Sequence, residues 1–215
     1  MEKIKALNIG CGNYPINNFI NVDICPKNNV VLLMDAGKPF VRYDNNTFNY
    51  IYSCHLIEHL TILEFENYLS ETYRVLKPNG VHRICFPSLD MISKIINNPE
   101  NYTTYIRNIF NHNQIKKLFK NTKILKDINS TIEDKDLVKY YSLVITQIFN
   151  NWEHKNIFNI DFIIDQAKSI GYKYYYTVEL NKSKFSIFND IEKNNGTFEY
   201  LQYKQYESSC IELIK

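Results

Sequence analysis

Leu7-Asn8-Ile9-Gly10-Cys11-Gly12-Asn13 (LNIGCGN), followed by Asn21-Val22-Asp23, is the stretch that decides the fold. It reads as a buried strand, a tight glycine turn, and a second strand ending in a carboxylate. Glycine at a strand's carboxyl end lets a ligand approach the backbone closely. An acid closing the next strand can accept hydrogen bonds from a ribose diol. The pair therefore points to a nucleoside-containing ligand across the first two strands of an α/β sheet.

The dinucleotide fingerprint has a third glycine and opens a full helix toward a pyrophosphate. Here the turn continues Asn13-Tyr14-Pro15, and Asn17-Asn18 follow, so at most a stub of helix precedes Val22. A cofactor without phosphates, such as S-adenosylmethionine, fits this short connection better.

Working outward, apolar runs predict strands near 5–9, 19–23, 30–34, 48–53 and 82–87. The third ends at Asp35-Ala36 and the fourth at Ser53-Cys54-His55. A helix is expected over 61–76, opened by a Thr61/Glu64 capping box and closed by Lys77-Pro78-Asn79-Gly80. Ile62, Phe65, Leu69, Thr72 and Leu76 share one face of it. Ser88 caps a helix over Leu89–Asn97, and helical fragments follow near 101–120 and 134–150. A helix over Ile160–Ile170 stops at Gly171. Lys173–Leu180 and Ser208–Ile214 read as a final antiparallel hairpin at the sheet edge, with Asn194-Asn195-Gly196 as a turn between them. The fold class is α/β: a doubly wound, mostly parallel seven-stranded Rossmann-like sheet with a helical insertion after strand five. Residues 1–215 are expected to form one domain, with 88–152 as a lid or acceptor-binding insertion.

Composition excludes some classes. With 25 basic and 23 acidic residues the net charge is +2, which gives no electrostatic footprint for nucleic acid. No apolar run is long enough for a membrane span. The five cysteines, Cys11, Cys25, Cys54, Cys85 and Cys210, form no C-x-x-C pair. They are expected to be reduced, packing as small hydrophobes in a cytoplasmic protein.

The ordered series LNIGCGN, NVD, FNYIYS, HLIEHL, RVLKPNG and HRICFP resembles class I S-adenosylmethionine-dependent methyltransferases, in particular the short ones associated with bacterial surface-glycan gene clusters. The resemblance covers residues 5 to 87 and extends weakly through WEHKNIF and IDQAKSIGY. It implies cofactor binding by Gly10, Cys11 and Gly12 under the methionine part, Asp23 at the ribose, Asp35 and Ala36 at the adenine, and Ser53 and Cys54 on the methionine side. The product would be S-adenosyl-L-homocysteine. Asn8 and Asn49 stand where relatives often carry acids. The implied acceptor is a small molecule or glycan precursor. O-methylation of a sugar, or of a phosphate or phosphoramidate group, in capsular polysaccharide synthesis is the leading reading, with a homodimer among the expected assemblies.

Two histidines are the catalytic candidates. His154, beside Trp152, is the first choice for a general base, because imidazole titrates near neutrality. His55, at the end of strand four, is the second. His55, Glu58 and His59 also spell H-x-x-E-H, a zinc-peptidase pattern that needs both histidines on one helical face. That metallopeptidase, and a non-catalytic cofactor-binding partner, are the alternative functions; in the leading reading no metal is expected. His82, within a strand, is expected to be structural, and His112 exposed.

Overall fold

The computed structural model describes residues 4–111, 117, 133–194 and 205–215. A seven-stranded sheet forms from β1 (Ala6–Ile9), β2 (Ile20–Asp23), β3 (Val31–Leu33), β4 (Phe48–Cys54), β5 (Leu76–Pro87), β6 (Tyr174–Val178) and β7 (Ser208–Ile214). Their order is β3-β2-β1-β4-β5-β7-β6. β1 to β5 are parallel, whereas β7 runs antiparallel to both β5 and β6. The strand order reverses between β1 and β4, the kind of switch point where open α/β sheets bind ligands. The fold class expected from sequence is the one observed. The last two strands form the expected antiparallel pair at the sheet edge, with β6 outermost and β7, whose seven residues are all buried, between β6 and β5.

α1 (Ile62–Val75) carries the expected capping box, with Thr61 Oγ1 accepting from the Glu64 N–H and Glu64 accepting from the Thr61 N–H. The Thr61 backbone N–H, and then the Thr61 hydroxyl, hold the Glu64 carboxyl down at about 2. α1 and α6 (Ile160–Ile170) pack on one face of the sheet, where Phe65, Tyr68, Leu69 and Ile163 meet Leu7, Ile9, Ile51, Ile84 and Leu213. Each such side chain contributes about 1.5–3 kcal/mol on full burial. Gly171 ends α6 with φ 120°.

Among the described residues, the opposite face is covered by turns rather than α-helices. Ile16 comes from the β1–β2 loop, and Phe188 and Ile191 from the β6–β7 connection. Arg83 pins that connection in place. Its Nε and Nη2 donate to Glu192 (2.7 and 3.0 Å), Nη1 donates to Glu212 (2.8 Å) and the Lys182 carbonyl (3.0 Å), and Nη2 also reaches the Glu179 carbonyl (3.2 Å). All five guanidinium N–H groups thus have acceptors. Arg83, Glu192 and Glu212 are buried.

The β5–β7 pairing places Cys85 opposite Cys210, and the two form a disulfide. This corrects the expectation of five reduced cysteines. Which of the last two strands neighbours β5 decides this: β7 does, and it brings the two Cα atoms to 4.3 Å. Cys11, Cys25 and Cys54 are not disulfide-bonded.

Between β5 and α6 the chain forms α2 (Leu89–Asn97, capped by Ser88), α3 (Thr103–Asn111), α4 (Asp134–Leu137) and α5 (Tyr141–Asn150). Ile92, Ile95, Tyr105, Ile106, Phe110, Val144 and Ile148 build a second core among them. The expected helix beyond Asn111, His112, and the Asn195-Gly196 part of the expected turn lie outside the described residues. No described helix is long and apolar enough to cross a membrane.

His82 is fully buried on β5, as its place in a strand suggested. Its Nε2 lies 2.8 Å from Tyr68 Oη, which in turn sits 2.7 Å from Ser53 Oγ. Burial pushes the imidazole down to about 3. The folded state keeps His82 neutral, while the unfolded chain takes up a proton below its ordinary value near 6.5. Stability from this residue is therefore complete above pH 6.5 and falls as pH drops toward 3. Going from pH 7 to pH 5 should cost about 2 kcal/mol from His82 alone. Urea unfolding at both pH values should show a shallower pH slope for His82→Gln; an unchanged slope would rule out this origin.

Candidate active site

The sheet's switch point opens a cleft of about 260 Å³, lined by Gly10, Asp23, Ile24, Met34, Asp35, Ala36, Leu56, His59, Leu60, Glu64, Glu153 and Lys155. Its floor is the glycine turn. Gly10 and Gly12 adopt φ 69° and 53°, a region that side chains bearing a Cβ rarely enter. A Cβ at Gly10 would lie 2.9 Å from Leu56 Cδ1, and one at Gly12 would meet nothing within 4 Å. Both glycines are favoured by the turn's positive φ, and at Gly10 a side chain would in addition press on Leu56. The Gly10 and Cys11 N–H groups donate to the Val22 carbonyl (2.9 and 3.2 Å), stitching the turn to β2.

Asp23 completes that stitching. Oδ2 accepts from the Gly12 N–H and Oδ1 from the Cys25 N–H, both at 2.8 Å. Each oxygen retains accepting capacity for a ligand. Asp35 Oδ1 accepts from the Gly37 N–H at 2.8 Å, an Asx turn at the end of β3. Cys11 is buried, and desolvation followed by the nearby Asp23 charge pushes its thiol up to about 11. It is a neutral packing group.

Of the other residues singled out from sequence, Ala36 lines the cleft. Ser53 and Cys54 are buried at the end of β4, with Ser53 Oγ turned to Tyr68 under α1. Asn8 donates to Asn21 Oδ1 (2.9 Å), and Asn21 in turn accepts from the Ile16 N–H of the β1–β2 loop (2.8 Å). Asn49 caps the Lys5 N–H (3.0 Å).

His55 stands apart from the cleft lining. Its Nε2 lies 2.9 Å from Ser208 Oγ and its Nδ1 3.2 Å from Glu58 Oε1. It adopts φ 53°, and only Ile57–His59 forms a helical turn, of the 3-10 kind. His55 and His59 therefore do not project from one α-helical face. The H-x-x-E-H reading as a zinc-peptidase helix is thereby corrected.

The cleft's far wall is assembled from two distant segments. The Glu58 carbonyl accepts from the N–H groups of Lys155 and Asn156 (2.8 and 3.1 Å), and Asn156 Nδ2 donates to the Leu60 carbonyl (2.6 Å). Three bonds thus fix the Trp152–Asn156 loop against the 3-10 turn. His154 Nδ1 lies 2.7 Å from the Ile148 carbonyl. A carbonyl only accepts, so Nδ1 carries a proton, and in the neutral ring Nε2 is the nitrogen left to accept. The His59 and His154 rings meet edge-on with centroids 5.1 Å apart. Lys155 Nζ is engaged by Glu64 at 3.2 Å. His59, Glu64, Glu153 and Lys155 were missed as cleft residues from sequence. The only signal was the second histidine of HLIEHL and its neighbours in WEHK, which no local spacing connects.

The glycine turn, the two strand-end carboxylates and the order of β1 to β5 meet an independent match: residues 7–84 fit the family described as a methyltransferase domain. The chain is similar to that family over residues 7–84. Its fold is of the class I methyltransferase type, whose cofactor is S-adenosylmethionine. No curated sequence matches the chain. Among solved structures, an S-adenosylmethionine-dependent methyltransferase from Archaeoglobus fulgidus is similar over 99% of this chain and 86% of its own, at 14% identity and a TM-score of 0.51. PKMT2 from Rickettsia typhi is similar over 98% of this chain, 17% identical, with a TM-score of 0.52. This chain spans 48% of that protein. At such identities the likeness is one of fold. The lining of this cleft would suit S-adenosylmethionine chemically: Met34, Ala36 and Leu60 offer apolar surface, Asp23 and Asp35 offer acceptors, and Gly10 offers bare backbone.

Proposed function

We propose that this methyltransferase O-methylates a small, polar, hydroxyl-bearing acceptor, a sugar or glycan precursor of the surface-polysaccharide type. The observation that carries this reading is His154, its ring held by the Ile148 carbonyl and packed edge-on against His59, which lines the cleft. A hydroxyl must lose its proton to attack, and such a cluster is where that loss can be assisted. Glu64 and Glu153 line the same cleft, and Lys155 is already paired. Their charge favours a neutral sugar hydroxyl over a phosphate or phosphoramidate acceptor.

The residue roles follow the same reading. Bound S-adenosylmethionine supplies a methyl group already activated on a sulfonium. Gly10, Cys11 and Gly12 pass backbone beneath its methionine part, and the ends of β4 at Ser53 and Cys54 close that side. Asp23 accepts from the ribose hydroxyls, while Asp35 and Ala36 bound the adenine. The protein's main work is then alignment of the acceptor oxygen with the methyl carbon. α2 to α5, whose return loop carries His154, serve as the acceptor-side cover. His55 orients Glu58 beneath this cluster and has no direct reach to the cleft.

His154→Ala should lower kcat about 100-fold while leaving cofactor affinity unchanged. The check is S-adenosylhomocysteine release across a panel of sugars and sugar nucleotides, with calorimetry for binding and linkage analysis of the product. Transfer to nitrogen or carbon, or a wild-type rate in the variant, would refute this reading.

A further inference from the structure

We propose that Glu58, His59 and His154 form a binding site for one divalent cation of the zinc type at the acceptor side of the cleft. This rests on the reading of that side as the place where a hydroxyl is activated, and it specifies how.

One carboxylate oxygen of Glu58 and one ring nitrogen from each histidine lie within 4.8 Å of one another. A metal bound at about 2.0–2.2 Å draws such donors to roughly 3.4 Å apart, a shift within side-chain reach. Two imidazoles and one carboxylate, with remaining positions open, is a donor set used by catalytic zinc. The two nitrogen donors disfavour magnesium and calcium, which prefer oxygen.

The surroundings are built as metal sites are. His154 donates Nδ1–H to the Ile148 carbonyl, which fixes the ring and presents Nε2; an outer hydrogen bond of this kind accompanies most ligating histidines. Glu58 is buried, and His55 Nδ1 stands 3.2 Å from its Oε1, itself held by Ser208. Glu58 is thus oriented from behind while its carbonyl clamps the loop that carries His154. His59 lines the cleft, which puts one of the three donors within reach of a molecule bound there.

A cation here changes the activation step. An acceptor hydroxyl in an open position has its pKa lowered. Its O–H proton passes to bulk water, the oxygen forms the new O–CH3 bond, and the S–CH3 bond breaks to leave a neutral thioether. His154 acts as a ligand rather than as the proton acceptor. No oxidant or further reactant is needed.

The test uses the whole chain, stripped with a chelator, dialysed against zinc chloride and analysed for bound metal. About one zinc per chain is expected. His154→Gln and Glu58→Gln should each weaken zinc binding about 100-fold or more, while Cys85→Ser, at the disulfide outside this site, should not. Cobalt substitution should give a visible absorption band that disappears in His154→Gln, a readout independent of methyl transfer. S-adenosylhomocysteine calorimetry on each variant reports separately on the cofactor cleft and on folding. Absence of bound zinc in the wild type, or zinc unaffected by both ligand variants, overturns the proposal. Normal zinc binding without cofactor binding instead overturns the methyl-transfer reading alone.

Discussion

Asp23→Ala should raise the dissociation constant for S-adenosylhomocysteine by about 100-fold or more. In the structure this carboxylate already accepts the Gly12 and Cys25 N–H groups, one on each oxygen. Its removal therefore loosens the glycine turn and, on the proposed assignment, deletes the acceptors for the ribose diol. Hydrogen bonds to a charged group are worth about 1.5–3 kcal/mol each, and two lost together reach the hundredfold range. Asp23→Asn should do little better. Both backbone partners are donors, so an amide must point its NH2 at one of them. Asp35→Asn should be milder, since Gly37 asks only one oxygen of it. Calorimetry on the three variants gives the ranking; Asp23→Ala binding as tightly as wild type would remove Asp23 from the site.

Arg83→Met should destabilise the fold by about 3–5 kcal/mol. The guanidinium is buried between Glu192 and Glu212, and its loss strands two carboxylates without their counter-charge. It also strands the carbonyls of Glu179 and Lys182, so the β6–β7 connection loses its anchor on β5. The decisive comparison is the triple variant Arg83→Met, Glu192→Met, Glu212→Leu. Removing all the charges together should recover most of the loss, because buried ion clusters contribute less than their breakage costs. Urea unfolding of both variants measures this. A single variant with wild-type stability would show that the cluster is not what holds the connection.

The parts of this molecule that were legible in sequence are those written in local code. LNIGCGN announced a turn because two glycines follow an apolar strand. Thr61 and Glu64 announced the start of α1 three residues apart. Gly171 announced the end of α6. The resemblance carried the cofactor, and the family match over residues 7–84 agrees with it. What stayed hidden depends on partners far along the chain. Arg83 meets Glu192 and Glu212 from 109 and 129 residues away. Lys155 pairs with Glu64 across 91 residues. Cys85 finds Cys210 only because β7 enters between β5 and β6, and strand choice across a long connection leaves no periodic trace. The same holds for His59 and His154, which are ordinary surface histidines until the Glu58 carbonyl clamps their loops together.

The position of β7 has a consequence for synthesis. A ribosome that has released β1 to β6 has made a sheet with a vacant slot, since the strand that separates β5 from β6 is the last of the seven in chain order. Until residues 208–214 emerge, one flank of β5 offers unpaired peptide groups to any passing strand. The nascent chain is thus most exposed to misassembly just before β7 emerges, and slow emergence of that strand would prolong the hazard.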